Sequence, residues 1–76
     1  MKALIEYCAR QLVDNPEGVH VDEHDAGDTT VLTLRVSPGD LGKVIGREGR
    51  TAQSLRTLLS ASASAQGRRA TLEIAD

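Results

Sequence analysis

Val44-Ile45-Gly46-Arg47-Glu48-Gly49-Arg50 is the stretch that decides how this chain is read. Two glycines three apart follow a β-branched pair and precede a long helical pattern. That order predicts a sharp helix-turn-helix with bare backbone at its tip. Without side chains at Gly46 and Gly49, another chain's backbone can come close. The N–H groups that open a helix lack intrahelical acceptors and sit at the positive end of its dipole, so they attract an anion such as phosphate. Arg47 and Arg50 add fixed charge beside them. A backbone clamp of this kind needs amide hydrogens at the glycine hinge that point outward and are not already bonded.

The flanking sequence places the turn. Ser37-Pro38-Gly39 breaks the chain, and Asp40 is a suitable N-cap for a short helix through Ile45. Beyond the glycines, Ala52, Leu55, Leu58, Leu59 and Ser62 share one helical face to about Ala65. The end of that helix, Ser60 to Ala65, holds only Ser and Ala. It reads either as a solvated, weakly packed last turn or as a face that lets a second backbone approach, as in a dimer. Gln66-Gly67 ends the helix, and Ala70, Leu72 and Ile74 alternate with Thr71 and Glu73 in a strand.

Upstream, residues 29–36 alternate, with Leu32, Leu34 and Val36 opposite Val31, Thr33 and Arg35. Residues 19–24 alternate too, with Val19 and Val21 opposite His20, Asp22 and His24. A Gly-containing loop of about four residues around Ala26-Gly27-Asp28 joins them as a β-hairpin. His20, Asp22 and His24 read as the solvated face of a strand rather than metal ligands. Leu4, Ile5, Cys8, Leu12 and Val13 make residues 2–14 an amphipathic helix, stopped by Asn15-Pro16 and Gly18. Cys8 lies within that stripe and reads as a buried small hydrophobe rather than a reactive thiol. The order α-β-β-α-α-β gives a two-layer α/β (α+β) sandwich, a three-stranded mixed sheet covered by three helices. The last strand follows a two-helix crossover and lies parallel to the second. No repeat or linker appears, and residues 1–76 read as one domain.

Size and charge narrow the function. A chain of 76 residues supports one thin core, and Tyr7 is its only aromatic residue, so that core is aliphatic. A single cysteine excludes an internal disulfide and a multi-cysteine zinc site, and it suits a reducing compartment. Residues 1–15 carry acids and no long apolar run, so neither a signal peptide nor a membrane span is expected, and the cytoplasm is the default. The net charge of −2 conceals segregation. Residues 1–30 carry −5 and residues 31–76 carry +3. A small positive spot on an acidic body implies modest affinity for an anionic polymer and little non-specific sticking to duplex.

The segment Gly42 to Leu58, with its V-I-G-x-x-G and the apolar-periodic helix after it, resembles the core of a KH domain. The element order resembles the type II arrangement. The length, Tyr7, the Asn15-Pro16 break and the Gly-Arg-Thr-Ala run extend the resemblance over nearly the whole chain, to the small bacterial single-KH proteins of the KhpA family. The resemblance implies a loop at Gly46–Gly49 that clamps the backbone of about four single-stranded nucleotides. Carried onto this sequence, Gly46 and Gly49 permit close approach, Arg47 meets phosphate, and Val44 and Ile45 help form an apolar floor under the bases. It places the opposite wall at the hairpin loop Asp25–Asp28 and the second strand, Thr29–Val36. Glu48 partly offsets Arg47. Lys43, Arg50 and Arg56 are further basic candidates by their spacing.

The expected ligand is therefore single-stranded RNA, bound without catalysis, cofactor or metal, as by an RNA chaperone or regulator. The resemblance further implies a partner, a second copy in a homodimer or a larger KhpB/Jag-type protein, and roles in cell elongation and division. A second class of function is a protein-interaction adaptor that uses the fold as a platform and the Ala/Ser helix as its contact. An enzyme has little support. There is no G-x-x-x-x-G-K-[ST], no G-x-S-x-G, and no Cys/His pair with an orienting third group.

Overall fold

The computed structural model describes residues 1–76. Helix α1 spans Lys2–Leu12, strand β1 His20–Ala26, strand β2 Thr29–Arg35, helix α2 Leu41–Ile45, helix α3 Arg50–Ala65 and strand β3 Arg69–Ala75. Single 3-10 turns occupy Pro16–Gly18, Pro38–Asp40 and Arg47–Gly49. The sheet order is β1-β2-β3, with β1 antiparallel and β3 parallel to β2. The mixed three-stranded sheet and its three helices agree with the expected architecture.

Alternation explains the sheet. Val21, Leu32, Leu34 and Leu72 point to one face and are almost wholly buried there. Ile5 and Ala9 of α1, Val44 of α2, and Leu55 and Leu59 of α3 complete a single aliphatic core against them. At about 25 cal/mol per Å2 of apolar surface, each large side chain in it contributes on the order of 2 kcal/mol. The hairpin is tighter than expected. Ala26 pairs with Thr29, so only Gly27 and Asp28 form the turn. Helix α1 ends at Leu12, two residues early, because Asn15-Pro16 cannot continue it and Val13 is already extended. Val13 remains in the core from outside the helix, whereas Leu12 is exposed. Cys8 is half-buried and packs against the core edge.

Helix α3 also differs in detail. Ala52, Leu55, Leu59 and Ala63 are its buried residues, while Leu58 faces out and Ser62 is half-buried. The i, i+3, i+7, i+11 row is the one that meets the sheet, and position 58 lies off it. Ala63 is completely buried, so the small-residue end of α3 is partly a core element.

Asp40 precedes α2 as expected, but its carboxylate does not cap that helix. It accepts hydrogen bonds from the backbone N–H groups of Asp14 at 3.2 Å and Asn15 at 3.0 Å, just past α1. The residue is buried, and Lys43 Nζ lies 3.7 Å from it. Burial alone would raise its pKa. The two N–H donors and the lysine outweigh that effect and hold the carboxyl below the ordinary aspartate range. Asp40 thus ties the start of α2 to the end of α1.

Candidate nucleic-acid interface

The short helix α2 brings the chain to Gly46, whose φ of 76° and ψ of 174° turn it sharply. Arg47–Gly49 form one tight turn before α3 begins. The two glycines are required for different reasons. A Cβ on Gly46 would lie 2.2 Å from Thr51 Oγ1 and 2.9 Å from the Thr51 backbone nitrogen, so the first glycine lets the loop fold against its own helix. At Gly49 the φ is 74°, but a Cβ would meet nothing within 4 Å. Only the second glycine is bare toward solvent. Between them Glu48 is the sole non-glycine residue with positive φ, at 56°.

The backbone amides correct the expectation of a free clamp at the two glycines themselves. The Gly46 N–H donates to Gly42 O at 2.9 Å, and the Gly49 N–H donates to Gly46 O at 3.2 Å. The Arg50 N–H donates to Arg47 O. These three amides hold the loop's own shape, while the Arg47 and Glu48 N–H groups at its tip are not among the bonded ones and can meet an anion together with the side chains. The positive end of the α3 dipole adds to their field.

The predicted side chains fall into distinct groups. Arg47 is exposed and makes no ion pair within the chain, so its charge is fully available. Arg50 pairs with Glu48 at 3.5 Å, with both side chains more than 70% exposed. Such a pair is weak and can be exchanged for another anion. Lys43 lies 3.4 Å from Asp14 and 3.7 Å from Asp40, so much of its charge is neutralised locally. Val44 has no exposed surface, which corrects its expected place in a floor under the bases. It supports the loop from within. Ile45 is 37% exposed and can serve as that floor.

Arg56 lies six residues beyond Arg50 on α3 and faces β3. Its Nε donates to Leu72 O at 3.4 Å across a groove lined also by Leu59, Ser60, Ala70 and Thr71. Toward the C-terminal end of α3 the groove continues past Ser64, Arg68 and Arg69. Arg69 at that end has no ion-pair partner and went unremarked in the sequence. β3 runs back antiparallel to α3, so the groove extends along the helix.

The opposite wall is therefore not the one expected. β2 is the central strand, with its backbone consumed by ladders on both sides and its apolar face under the helices. The hairpin tip lies at the far end of α3. Arg68, just past that helix, bonds Asp25 at 2.9 Å and Thr30 Oγ1 at 2.9 Å, and the Arg69 N–H donates to Asp28 O. Sixteen residues of helix, about 24 Å, lie between that end and the glycine loop. The wall that faces α3 is the edge strand β3. A right-handed crossover from β2 puts β3 beside it with α3 above, so the sequence did carry this signal.

These features sit on a chain that matches the family model described as KhpA/KhpB, KH domain, over residues 2–74. It belongs to that family. The RNA-binding protein KhpA of Halalkalibacterium halodurans is 50% identical over 76 residues, the whole of both chains. That of Treponema pallidum is 53% identical over 73 residues, covering 96% of this chain and 91% of the relative. That of Aquifex aeolicus is 47% identical over 74 residues, covering 97% and 94%. Within this KhpA/KhpB KH domain, no helix is long and apolar enough to cross a membrane.

Proposed function

We propose that this chain is a non-catalytic binder of single-stranded RNA. The phosphates enter at the Gly46–Gly49 loop, and the bases lie in the groove between α3 and β3. One observation carries the reading: an unpaired arginine on a glycine-hinged corner stands at the head of a groove whose far wall is a free strand edge. Relatives named RNA-binding protein KhpA, matched over 91% or more of their lengths, support it.

Arg47 meets phosphate directly, and Arg50 joins it by leaving Glu48. Ile45 supplies apolar floor at the loop end, and Arg56 reaches the bases or their backbone further along. Residues Ala70, Leu72 and Ile74 of β3 turn their backbone groups away from β2, because the alternating residues Arg69 and Ala75 face it. Those edge groups can hydrogen-bond base edges. With Tyr7 the only aromatic residue, base stacking on aromatic rings contributes little, and sequence preference is shallow.

The test is a titration of short single-stranded RNA against the chain and against the double variant Arg47→Asp, Glu48→Asp. About two or three neutralised phosphates give a slope of log affinity against log salt near −2. The double variant binds about tenfold more weakly or worse, with an unchanged melting curve. Equal affinity of the two proteins would overturn the proposal.

A single weak site of this size gains from a second one held nearby. The same proposal therefore includes a partner, a second copy or a larger KhpB/Jag-type chain, a cytoplasmic location, and work in cell elongation and division. A protein-interaction role is the second reading, favoured by Leu58, which is 41% exposed beside Gln53, Ser54, Thr57 and Ala61 on the outer face of α3. Bulky substitution at Ala61 or Ala65 that abolishes association while RNA binding persists would separate the two roles.

A further inference from the structure

The far end of the groove lies against the acidic half of the chain. Thr29, Ser64, Arg68 and Arg69 line it there, with Asp25 and Asp28 of the hairpin tip beside them. Bare carboxylates next to the path of a polyanion would repel it. At Asp25 the chain supplies an answer. Arg68 Nη2 lies 2.9 Å from Asp25 Oδ1, the shortest ion pair in the molecule. Arg68 Nε and Nη2 also donate to Thr30 Oγ1 at 3.1 and 2.9 Å, and that hydroxyl donates to Asp25 Oδ1 at 3.1 Å. Thr30 is buried, so it anchors a closed ring of three side chains to the sheet. Arg68 lines the groove and Asp25 does not, so the guanidinium, not the carboxylate, borders it.

We infer that Arg68 is a positioning residue for RNA: by pinning and neutralising Asp25 it keeps the far end of the groove open to an anionic strand. Two features separate this role from the alternatives. Asp25 is 70% exposed, and an ion pair so open to water contributes little stability, so its main effect is to cancel charge. Arg68 Nε and Nη2 are both committed inside the chain, unlike the unpaired guanidinium of Arg47, so Arg68 acts through Asp25 rather than by holding a phosphate. The inference rests on the proposed binding of RNA in this groove. It accounts for how a strand can pass a segment, residues 1–30, that carries −5.

The test measures binding of the RNA octamer rU8 to the full chain by fluorescence anisotropy at low salt, beside a melting curve for each variant. Arg68→Gln uncovers the Asp25 charge and should weaken binding about fivefold, an effect that shrinks as salt is raised. Adding Asp25→Asn to Arg68→Gln removes that charge and should return affinity to within about twofold of the parent. Adding Glu17→Gln instead makes the same change in net charge before the start of β1, away from the hairpin tip, and should restore much less. Arg68→Lys keeps the charge but not the fork. It should bind within about twofold of the parent while melting at a lower temperature, because the bonds to Thr30 are weakened.

A double variant Arg68→Gln, Asp25→Asn as weak as Arg68→Gln alone would show that Arg68 touches the strand itself, and would overturn the inference. Equal rescue by Glu17→Gln would overturn it too, since net charge rather than place would then matter. So would Arg68→Lys losing affinity along with stability, the mark of a purely structural role, or Arg68→Gln binding as the parent does. Each of these leaves RNA binding in place. Failure of the parent chain to bind the octamer would instead remove the proposed function, and the inference with it.

Discussion

The two ends of helix α3 are built from the same residue types and put them to opposite uses. At the C-terminal end, Gly67 at φ 70° closes the helix: its N–H donates to Ser64 O at 3.0 Å and the Arg68 N–H donates to Ala63 O at 2.8 Å. That is the Schellman pattern of a left-handed cap. Arg68 then spends its guanidinium on Asp25 and Thr30 of the hairpin. At the N-terminal end, Gly46 and Gly49 also close their amides internally, but Arg47 is left with no acid to bind. The arginine that follows the C-terminal cap is neutralised by the hairpin, with only Arg69 beyond it unpaired, whereas the arginine inside the N-terminal loop is left open. The difference lies in where the acids sit. The acidic β1–β2 tip meets the C-terminal end, whereas at the loop Glu48 pairs with Arg50 and the buried acid, Asp40, is turned to the end of α1.

Substitutions can break this comparison. The largest effect is expected at Gly46. Gly46→Ala forces a left-handed alanine into the Thr51 backbone and should lower stability by about 3 kcal/mol, read by chemical denaturation, with loss of RNA binding. Gly49→Ala and Gly67→Ala share the backbone cost without the clash, and each should cost about 1 kcal/mol. They differ in function. The first should weaken RNA binding by crowding the open corner, and the second should leave it unchanged.

Much of this was legible in the residues. Period-two alternation at 19–24, 29–36 and 70–74 identified the strands, and the V-I-G-x-x-G located the loop. The misses share a cause. Small residues such as Ala9 and Ala63 carry too little hydrophobic signal to mark them as core, and Leu58 carries enough to be mistaken for it. The partner of Asp40 is about 25 residues away in sequence, and no local pattern announces such a contact. The amides at the glycines looked free because sequence spacing says nothing about which carbonyls a tight turn brings back to them. The far wall, placed by resemblance at the hairpin, was misplaced even though the two-helix crossover already set β3 beside β2 with α3 above them.

Smaller effects sharpen the contrast. Glu48→Lys removes the acid that engages Arg50 and adds a cation, so affinity for RNA should rise several-fold at low salt, with a steeper salt dependence. Asp40→Asn tests the tie between the start of α2 and the end of α1. A carboxyl whose folded pKa is lowered contributes stability that is present above its unfolded value and lost as pH falls through the folded one. The melting temperature of Asp40→Asn should therefore lie below that of the parent chain near neutral pH. The two should converge as pH drops below 3.8, the ordinary aspartate value.

Amide chemical shifts recorded by NMR during titration with a short single-stranded RNA probe the location of the site directly. Strand entry at the unsealed end predicts perturbation at Gly46–Arg50, at Arg56 and along Ala70–Ile74, with Asp25–Asp28 unmoved. Perturbation concentrated on the hairpin tip, or on the outer face around Leu58 with the glycine corner silent, would contradict it.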